Sequence, residues 1–174
     1  MPSAPLFPRL DPWTDPRLEV RPSTIHGLGV FARSDIAAGE IVMRWGGIVI
    51  PLDSYDPALH RARSTTQWSR DAWLTMLHTD PETVADRMNH RCDANTWMLD
   101  AVQVQTRWAV RADEEVTTDV AMWADDGFIY TEACACGSPL CRGRVTGRDW
   151  LRPELQARYA DHFVPFLAAR MPSR

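Results

Sequence analysis

The chain contains no lysine, because all 19 of its basic residues are arginine. No side chain of this protein can therefore carry a modification that requires a lysine amine. Long apolar runs are also missing. The longest, residues 41–52, is interrupted by Arg44 and falls well short of the ~20 apolar residues that a membrane-spanning helix needs. The first 13 residues have neither a basic start nor an apolar run, so we predict no signal peptide. We expect a cytoplasmic protein without membrane contact.

The composition indicates one globular domain. Of the 174 residues, 45% are hydrophobic and 24% are charged, as in ordinary globular proteins. A chain of this length can bury roughly 70% of its unfolded surface, which is enough for a hydrophobic core. The net charge of −4 and the isoelectric point near 5.7 argue against direct nucleic-acid binding through bulk charge. The same charge suits a basic protein partner.

Short runs of β-branched residues, separated by glycine turns, predict a protein that is mainly β with some α. Residues 18–21, 102–110 and 115–122 are predicted strands. Residues 41–50 are predicted to form a strand, a bend at a pair of glycines and a second strand. The order of these segments does not alternate strands with helices, so a parallel βαβ layout is excluded.

Three further segments complete the predicted outline. Residues 1–17 hold five prolines and are predicted to form an extended arm. Residues 53–79 fit either a helix or two short strands, and both alternatives stay open. Residues 148–170 carry apolar side chains at helical spacing, which predicts one or two closing helices. These side chains are Leu155, Tyr159, Phe163, Phe166 and Leu167.

Closely spaced cysteines are the strongest local signal. Cys134, Cys136 and Cys141 follow the pattern CxCx4C around a glycine turn, which lets sulfurs converge on one zinc ion. A closed structural site needs a fourth ligand, and Cys92 is the other cysteine of the chain. A disulfide pair or free thiols are the alternatives, but a reducing compartment favours metal binding. We therefore predict a structural zinc site with these four ligands.

Three other motifs are weak when taken singly. Residues 26–29, HGLG, could be a simple hairpin turn, since they lack the third glycine of a dinucleotide-binding fingerprint. Residues 89–95, NHRCDAN, could be a polar turn whose amides cap backbone groups. Residues 113–117, DEEVT, could be a solvated acidic turn that enters a strand. No nucleophile elbow, P-loop or HExxH motif is present.

The order of these four motifs resembles the SET-domain family of protein-lysine methyltransferases with a post-SET zinc segment. The block HGLGVFARSDIAAGEIV is similar to the opening strand pair of the family, and RMNHRCDAN is similar to its asparagine-histidine-cysteine motif. ADEEVTTDV is similar to its GEELT strand and CACGSPLCRG to the post-SET loop. The RWGG sequence and the closing VTGRDW…PELQARYADHF resemble the small bacterial members.

The resemblance implies a β-clip-like SET fold of short strands with a pseudoknot, a C-terminal zinc loop and a helix. It divides the chain into a proline-rich arm at 1–17 and a SET domain at 18–132. A post-SET zinc-binding segment at 133–147 and a helical tail at 148–174 follow. The implied function is methyl transfer from S-adenosylmethionine to a lysine of a protein substrate.

The resemblance also implies site residues. The glycines of the HGLG turn would let the backbone approach S-adenosylmethionine closely, because no Cβ stands in the way. Asn89 and His90 would hold the cofactor through hydrogen bonds, and Leu140 would pack against its adenine. Trp45 would stand at the mouth of a narrow substrate channel. The implied cofactor-binding set is His26, Gly27, Leu28, Gly29, Asn89, His90 and Leu140.

One position departs from the family pattern. The family carries a catalytic tyrosine three residues after the threonine of its GEELT strand, and here that position is Val120. A valine can neither donate nor accept a hydrogen bond. Two interpretations follow: the domain methylates lysine slowly, or it is a weak or inactive SET-like domain that binds S-adenosylmethionine or a partner peptide. A zinc-stapled interaction module without a cofactor is a third, but it would not need the HGLG and NHRCDAN motifs.

Overall fold

The computed structural model describes residues 9–125 and 133–171. Within them, short strands dominate and helices are brief, as the sequence predicts. The strands are β1 (Arg9–Leu10), β2 (Trp13–Thr14), β3 (Leu18–Pro22), β4 (Leu28–Ala32), β5 (Ile41–Arg44), β6 (Gly47–Pro51), β7 (Thr66–Ser69), β8 (Ala72–Thr75), β9 (Thr96–Met98), β10 (Gln103–Thr106) and β11 (Glu115–Val116). Two α-helices, α1 (Pro153–Tyr159) and α2 (Pro165–Ala168), close the chain. Short 3-10 helices cover Leu52–Ser54, Ala62–Ser64, Val84–Arg87, Val120–Met122 and Asp149–Leu151.

The strands form small antiparallel sheets with the orders β1-β6-β8-β7, β2-β5-β10-β9 and β11-β4-β3. The glycine pair after β5 sends the chain from one sheet into another, because β5 and β6 belong to different sheets. The open alternative for residues 53–79 is decided in favour of two strands, β7 and β8. Among the described residues, no helix combines the length and the apolar character needed to cross a bilayer.

Two strands are shorter in the structure than the sequence predicts. The strand predicted over residues 115–122 ends at Val116, and a 3-10 helix begins at Val120. The cause is local: the Asp119 carboxylate accepts the Ala121 N–H at 3.0 Å and caps this helix. The strand predicted over residues 102–110 is regular only as β10, and Val110 forms an isolated bridge with Ile36.

The described part of the proline-rich arm is extended, but it is not detached from the domain. Strand β1 pairs with β6 and strand β2 pairs with β5, so the arm supplies an edge to two sheets. Prolines are tolerated on such edges because one side of the strand has no partner to bond. The main core lies between the sheets and the tail, where Val30, Met43 and Val104 pack in one cluster with Leu155 and Leu167.

The arm crosses the domain at Gly46. A Cβ added to this glycine would lie 2.4 Å from the Pro12 nitrogen and 2.7 Å from the Leu10 oxygen, which are backbone atoms. We predict that Gly46→Ala lowers stability by about 1–3 kcal/mol, because the arm must move away. The measurement is thermal unfolding together with limited trypsin digestion after Arg9. Unchanged melting and unchanged cleavage would show that the arm is not packed against this glycine.

Candidate functional site

The HGLG turn is connected to two distant segments by the side chain of Asn89. The Asn89 Nδ2 amide donates to the carbonyl oxygens of His26 and Leu28, each at 3.1 Å. It also donates to Glu115 Oε1 at 2.8 Å, and the Ser23 hydroxyl donates to both oxygens of the same carboxylate. Asn89 therefore fixes the turn between β3 and β4 against the start of β11.

The two glycines of this turn have different reasons to be glycine. Gly27 has φ +46, in the left-handed region, and a Cβ there would meet open space. A Cβ at Gly29 would lie 2.1 Å from Glu115 Oε1. Gly29 thus makes room for the Glu115 side chain, a role that the sequence did not indicate. Glu115 itself stands in the acidic turn, and its pairing with Asn89 was not predictable from that motif.

A second connection runs along the backbone of Thr118. Its N–H donates to the Asn89 carbonyl at 3.0 Å, and its carbonyl accepts the Arg91 N–H at 2.9 Å. His90 and Thr118 form a parallel bridge. The segment that follows β11 therefore lies beside the NHRCDAN motif, as the implied pseudoknot requires.

A pocket of about 200 Å³, which we call the histidine pocket, lies beside Asn89 and His90. It is lined by Ile25, His26, Asn89, His90 and residues 133–136. Burial lowers the pKa of His90, so its ring is held neutral. The structure thus brings three of the implied cofactor-binding residues to one cavity. Gly27, Leu28, Gly29 and Leu140 are not in its lining, and the Leu28 and Leu140 side chains are exposed.

A second pocket of about 110 Å³, which we call the tryptophan pocket, is lined by Trp45, Met76, Met88, Thr118 and Trp123 among others. The Trp45 and Trp123 rings meet edge to face, with centroids 5.5 Å apart and planes at 83°. Trp45 was singled out from the sequence, whereas Trp123 was not. Thr118 also lines this pocket, while its backbone is bonded to Asn89 of the histidine pocket.

Val120 lines neither pocket. Its side chain is buried in a small apolar cluster with Cys92, Ala124, Cys136 and Val145. The position at which the resemblance places a catalytic tyrosine is therefore occupied by a side chain of the core. It contributes no polar group to either cavity.

The four cysteines converge as predicted. Their sulfur atoms all lie within 4.8 Å of one another, and Cys92 Sγ is 3.8 Å from Cys134 Sγ. Four thiolates at ~2.3 Å from one tetrahedral zinc ion would be about 3.8 Å apart, so the residues fit this ion. The N–H groups of Cys92 and Arg142 each point at a cysteine sulfur at 3.4 Å. Burial raises the pKa of the Cys92 thiol and raises that of Cys134 to about 11.

Comparison with known families identifies the domain. A family profile described as the SET domain matches residues 27–119, which is more than half of the chain. This chain belongs to the SET-domain family. The resemblance seen in the motifs is confirmed, and the SET domain begins at the HGLG turn and ends at Asp119 in this match.

Two curated relatives are histone-lysine methyltransferases. Histone-lysine N-methyltransferase ATX2 of Arabidopsis thaliana is 27% identical over 146 residues, which covers 74% of this chain and 13% of that protein. The H3 lysine-4 specific histone-lysine N-methyltransferase of Mycosarcoma maydis is 29% identical over 138 residues, covering 72% and 9%. The chain thus spans only a small part of the length of these relatives. Together, these matches support placing the domain in a family of protein-lysine methyltransferases.

A buried carboxylate at the end of the matched region joins the cysteine loop, residues 134–142, to the segment beside the pockets. Asp119 is fully buried, and its two oxygens accept Arg142 Nη2 at 2.8 Å and Nη1 at 2.7 Å. The Tyr159 hydroxyl of α1 also donates to Asp119, at 2.8 Å, and Arg142 Nε donates to Asp149 at 2.8 Å. Burial and the Asp119 charge raise the pKa of Tyr159, so its hydroxyl stays protonated and donates this hydrogen bond. His90 Nδ1 lies 3.7 Å from Asp119.

This network allows a graded test of stability. We predict that Tyr159→Phe lowers the free energy of unfolding by about 1.5–3 kcal/mol, because it removes one hydrogen bond to a charged group. Arg142→Leu should lower it by more, about 3–5 kcal/mol, because Asp119 and Asp149 then remain buried without their cation. Urea unfolding measures both. A leucine variant as stable as the phenylalanine variant would contradict this ordering.

The cysteine cluster makes a second prediction. The purified protein should contain one zinc ion per chain by elemental analysis, because four thiolates close a tetrahedral site. Cys136→Ser should lose the metal and melt at a lower temperature, since binding of structural zinc contributes to folding. Ser138→Ala, which changes a residue of the same loop but no sulfur ligand, serves as the control. Full zinc content in the Cys136→Ser variant would contradict the ligand set.

Proposed function

We propose that this SET domain transfers a methyl group from S-adenosylmethionine to the side-chain amine of a lysine in a protein substrate. The proposal rests on Thr118, which connects the two pockets. This residue lines the tryptophan pocket, while its backbone is hydrogen-bonded to Asn89 and Arg91 next to the histidine pocket. Two cavities lined by residues that are hydrogen-bonded to each other suit a reaction between a cofactor in one and a substrate in the other.

We assign the cofactor to the histidine pocket. The His26 carbonyl accepts the Asn89 amide at 3.1 Å, and its second lone pair is an acceptor for the ammonium group of S-adenosylmethionine in this pocket. Gly27 leaves open space beside the turn. Leu140, which is exposed, would cover the adenine as the resemblance implies. The bound cofactor supplies a sulfonium-activated methyl group.

We assign the substrate lysine to the tryptophan pocket. A free lysine has a pKa near 10.4, so its amine is mostly protonated in water and has no lone pair to offer. Indole rings, methionine side chains and the positive charge of Arg63 in the lining disfavour the charged form, and the Asp86 carboxylate of the lining is already paired with Arg61. An indole in the lining can also attract a methylated ammonium product through its π face.

The zinc ion would have a structural role. Cys134 and Cys136 line the histidine pocket, and their sulfurs lie beside that of Cys92 in the body of the domain. The metal would therefore hold residues 133–136 in place as one wall of the cofactor pocket. The predicted post-SET segment at 133–147 agrees with this role. The net charge of −4 favours a basic protein as the substrate.

The buried position of Val120 favours a slow enzyme, and it supports a second candidate. Val120 packs in an apolar cluster and has no hydroxyl, so the side chain of residue 120 offers no hydrogen bond to a substrate amine. Alignment and desolvation by the pockets remain, and these supply a large part of the rate of a bimolecular transfer. The second candidate is a weak or inactive SET-like domain that binds S-adenosylmethionine or a partner peptide without turnover.

Methyl transfer to a lysine-containing basic peptide tests the proposal. The wild-type protein should incorporate labelled methyl into the peptide, read by mass spectrometry. Because the chain has no lysine, label on a lysine cannot come from the protein itself. Peptide in which arginine replaces lysine is the matched control. Cofactor binding without any transfer would contradict the enzyme and favour the second candidate.

Two variants at residue 120 distinguish the effect of a tyrosine hydroxyl on the rate from the effect of an aromatic ring. We predict that Val120→Tyr is at least about tenfold faster than Val120→Phe, because only the tyrosine adds a hydrogen bond. Both rings overpack the cluster around Cys136, so both variants should lose about 1–3 kcal/mol of stability. Initial rates at saturating cofactor are the measurement. Equal rates for the two variants would show that this position does not reach the reacting atoms.

A further inference from the structure

We infer that the His90 side chain is a positioning residue of the cysteine cluster: it donates a hydrogen bond to the Cys92 sulfur instead of a hydrogen bond to the cofactor. The inference rests on the structural zinc of the proposed function, and it revises the role that the resemblance implies for this ring. His90 Nε2 lies 3.3 Å from Cys92 Sγ, and His90 also lines the histidine pocket. One residue thus contacts a candidate metal ligand and forms part of the pocket wall.

The second ring nitrogen of His90 decides where the ring proton lies. The Val120 N–H donates to His90 Nδ1 at 3.4 Å. A nitrogen that accepts an N–H carries no proton of its own, so the hydrogen of the neutral imidazole lies on Nε2. The hydrogen-bond network therefore assigns the tautomer in which Nε2–H faces the Cys92 sulfur.

Asp119 is the neighbouring group that could favour the opposite tautomer, with the proton on Nδ1. Its Oδ1 atom is 3.7 Å from His90 Nδ1, which is beyond hydrogen-bond distance. The same oxygen already accepts Arg142 Nη2 at 2.8 Å and the Ala121 N–H at 3.0 Å. The carboxylate is thus satisfied by other donors and does not draw the ring proton away from Nε2.

A hydrogen bond to a cysteine sulfur bears directly on metal binding. A thiolate that binds a metal keeps lone pairs, and an N–H directed at one of them stabilises the negative charge on the sulfur. The Arg142 N–H also points at Cys92 Sγ, and the Cys92 N–H points at Cys136 Sγ, each at 3.4 Å. These two donors belong to the backbone. The His90 ring is a side-chain donor, so a substitution can remove it.

The two hydrogen bonds of the ring also limit what His90 can offer a cofactor. A neutral imidazole has one N–H and one nitrogen lone pair, and here Cys92 takes the first and Val120 takes the second. The ring presents a surface to the histidine pocket but no free nitrogen. Its position there is set by the Cys92 sulfur, so the metal cluster determines this part of the pocket wall.

Two substitutions at one position test the inference through zinc affinity. His90→Phe keeps a ring and removes both nitrogens, whereas His90→Gln keeps an N–H donor in place of Nε2. We expect His90→Phe to lower the zinc affinity about tenfold in competition with a chelator, and His90→Gln to stay within about threefold of the wild type. His78→Phe, which changes an exposed histidine outside the cluster and both pockets, is the matched control and should leave the zinc affinity unchanged.

Spectroscopy distinguishes the hydrogen bond from simple packing. In protein loaded with cobalt in place of zinc, loss of the donor should move the thiolate-to-cobalt absorption band to longer wavelength in His90→Phe but not in His90→Gln. Nitrogen-15 NMR of the zinc-loaded wild type should show the ring proton on Nε2. With zinc saturating, the dissociation constant of S-adenosylmethionine for His90→Gln should stay within about threefold of the wild type, because the ring nitrogens do not bond the cofactor.

The outcomes are distinguishable. A ring proton on Nδ1 in the wild type would overturn the inference without any variant. So would a His90→Phe variant with the zinc affinity and cobalt spectrum of the wild type, or a His90→Gln variant that keeps zinc and loses the cofactor. A wild type that binds zinc but not S-adenosylmethionine would contradict the proposed function alone. The Nε2 tautomer and the loss of zinc affinity in His90→Phe would still support the role of His90 in that case.

Discussion

The architecture depends on one buried negative charge. Asp119 is shielded from water, and a carboxylate in such a place is tolerated only when its oxygens are fully bonded. Its donors are Arg142 from the cysteine loop, Tyr159 from helix α1 and the Ala121 N–H of the following turn. Each donor comes from a different part of the chain. The segment beside the pockets, the cysteine loop and the tail therefore fold as one unit.

This constraint explains the division between packing and chemistry at the site. Asp119 is flanked by Thr118, which lines the tryptophan pocket, and by Val120, which packs against the cysteines. A rigid anchor between the two keeps the first side chain at the pocket and the second in the core. The cysteine loop meets the rest of the domain twice, where its sulfurs lie beside that of Cys92 and where Arg142 pairs with Asp119. Movement of either attachment would displace the wall of the histidine pocket.

The sequence predicted the β-rich class, the cysteine cluster and the proximity of the HGLG and NHRCDAN motifs. These features rest on glycine turns, ligand chemistry and motif order, which are local or can be read from a resemblance. The strand predicted over residues 115–122 was too long because local β propensity cannot show that the Asp119 side chain caps the next turn. The choice between a helix and two strands over residues 53–79 depended on pairing with β6, a distant segment.

Other features had no signal in the sequence. The reason for Gly29 appears only when Glu115 lies against it, and these residues are far apart in the chain. Tyr159 was predicted as an apolar residue of a closing helix, whereas its hydroxyl serves the buried Asp119. Trp123 followed a segment predicted as a strand, and the 3-10 turn at Val120 is what places it opposite Trp45. The distant hydrogen-bond partners of polar side chains thus cannot be predicted from a single sequence.

The most direct measurement is a calorimetric titration of the zinc-loaded protein with S-adenosylmethionine. We expect saturable binding of one molecule per chain with a dissociation constant in the micromolar range or tighter, which Asn89→Leu should abolish. Asn89 holds the His26 and Leu28 carbonyls and the Glu115 carboxylate in one place. No detectable binding by a folded protein with its cysteines on zinc would contradict the cofactor site and, with it, the assignment of methyl transfer.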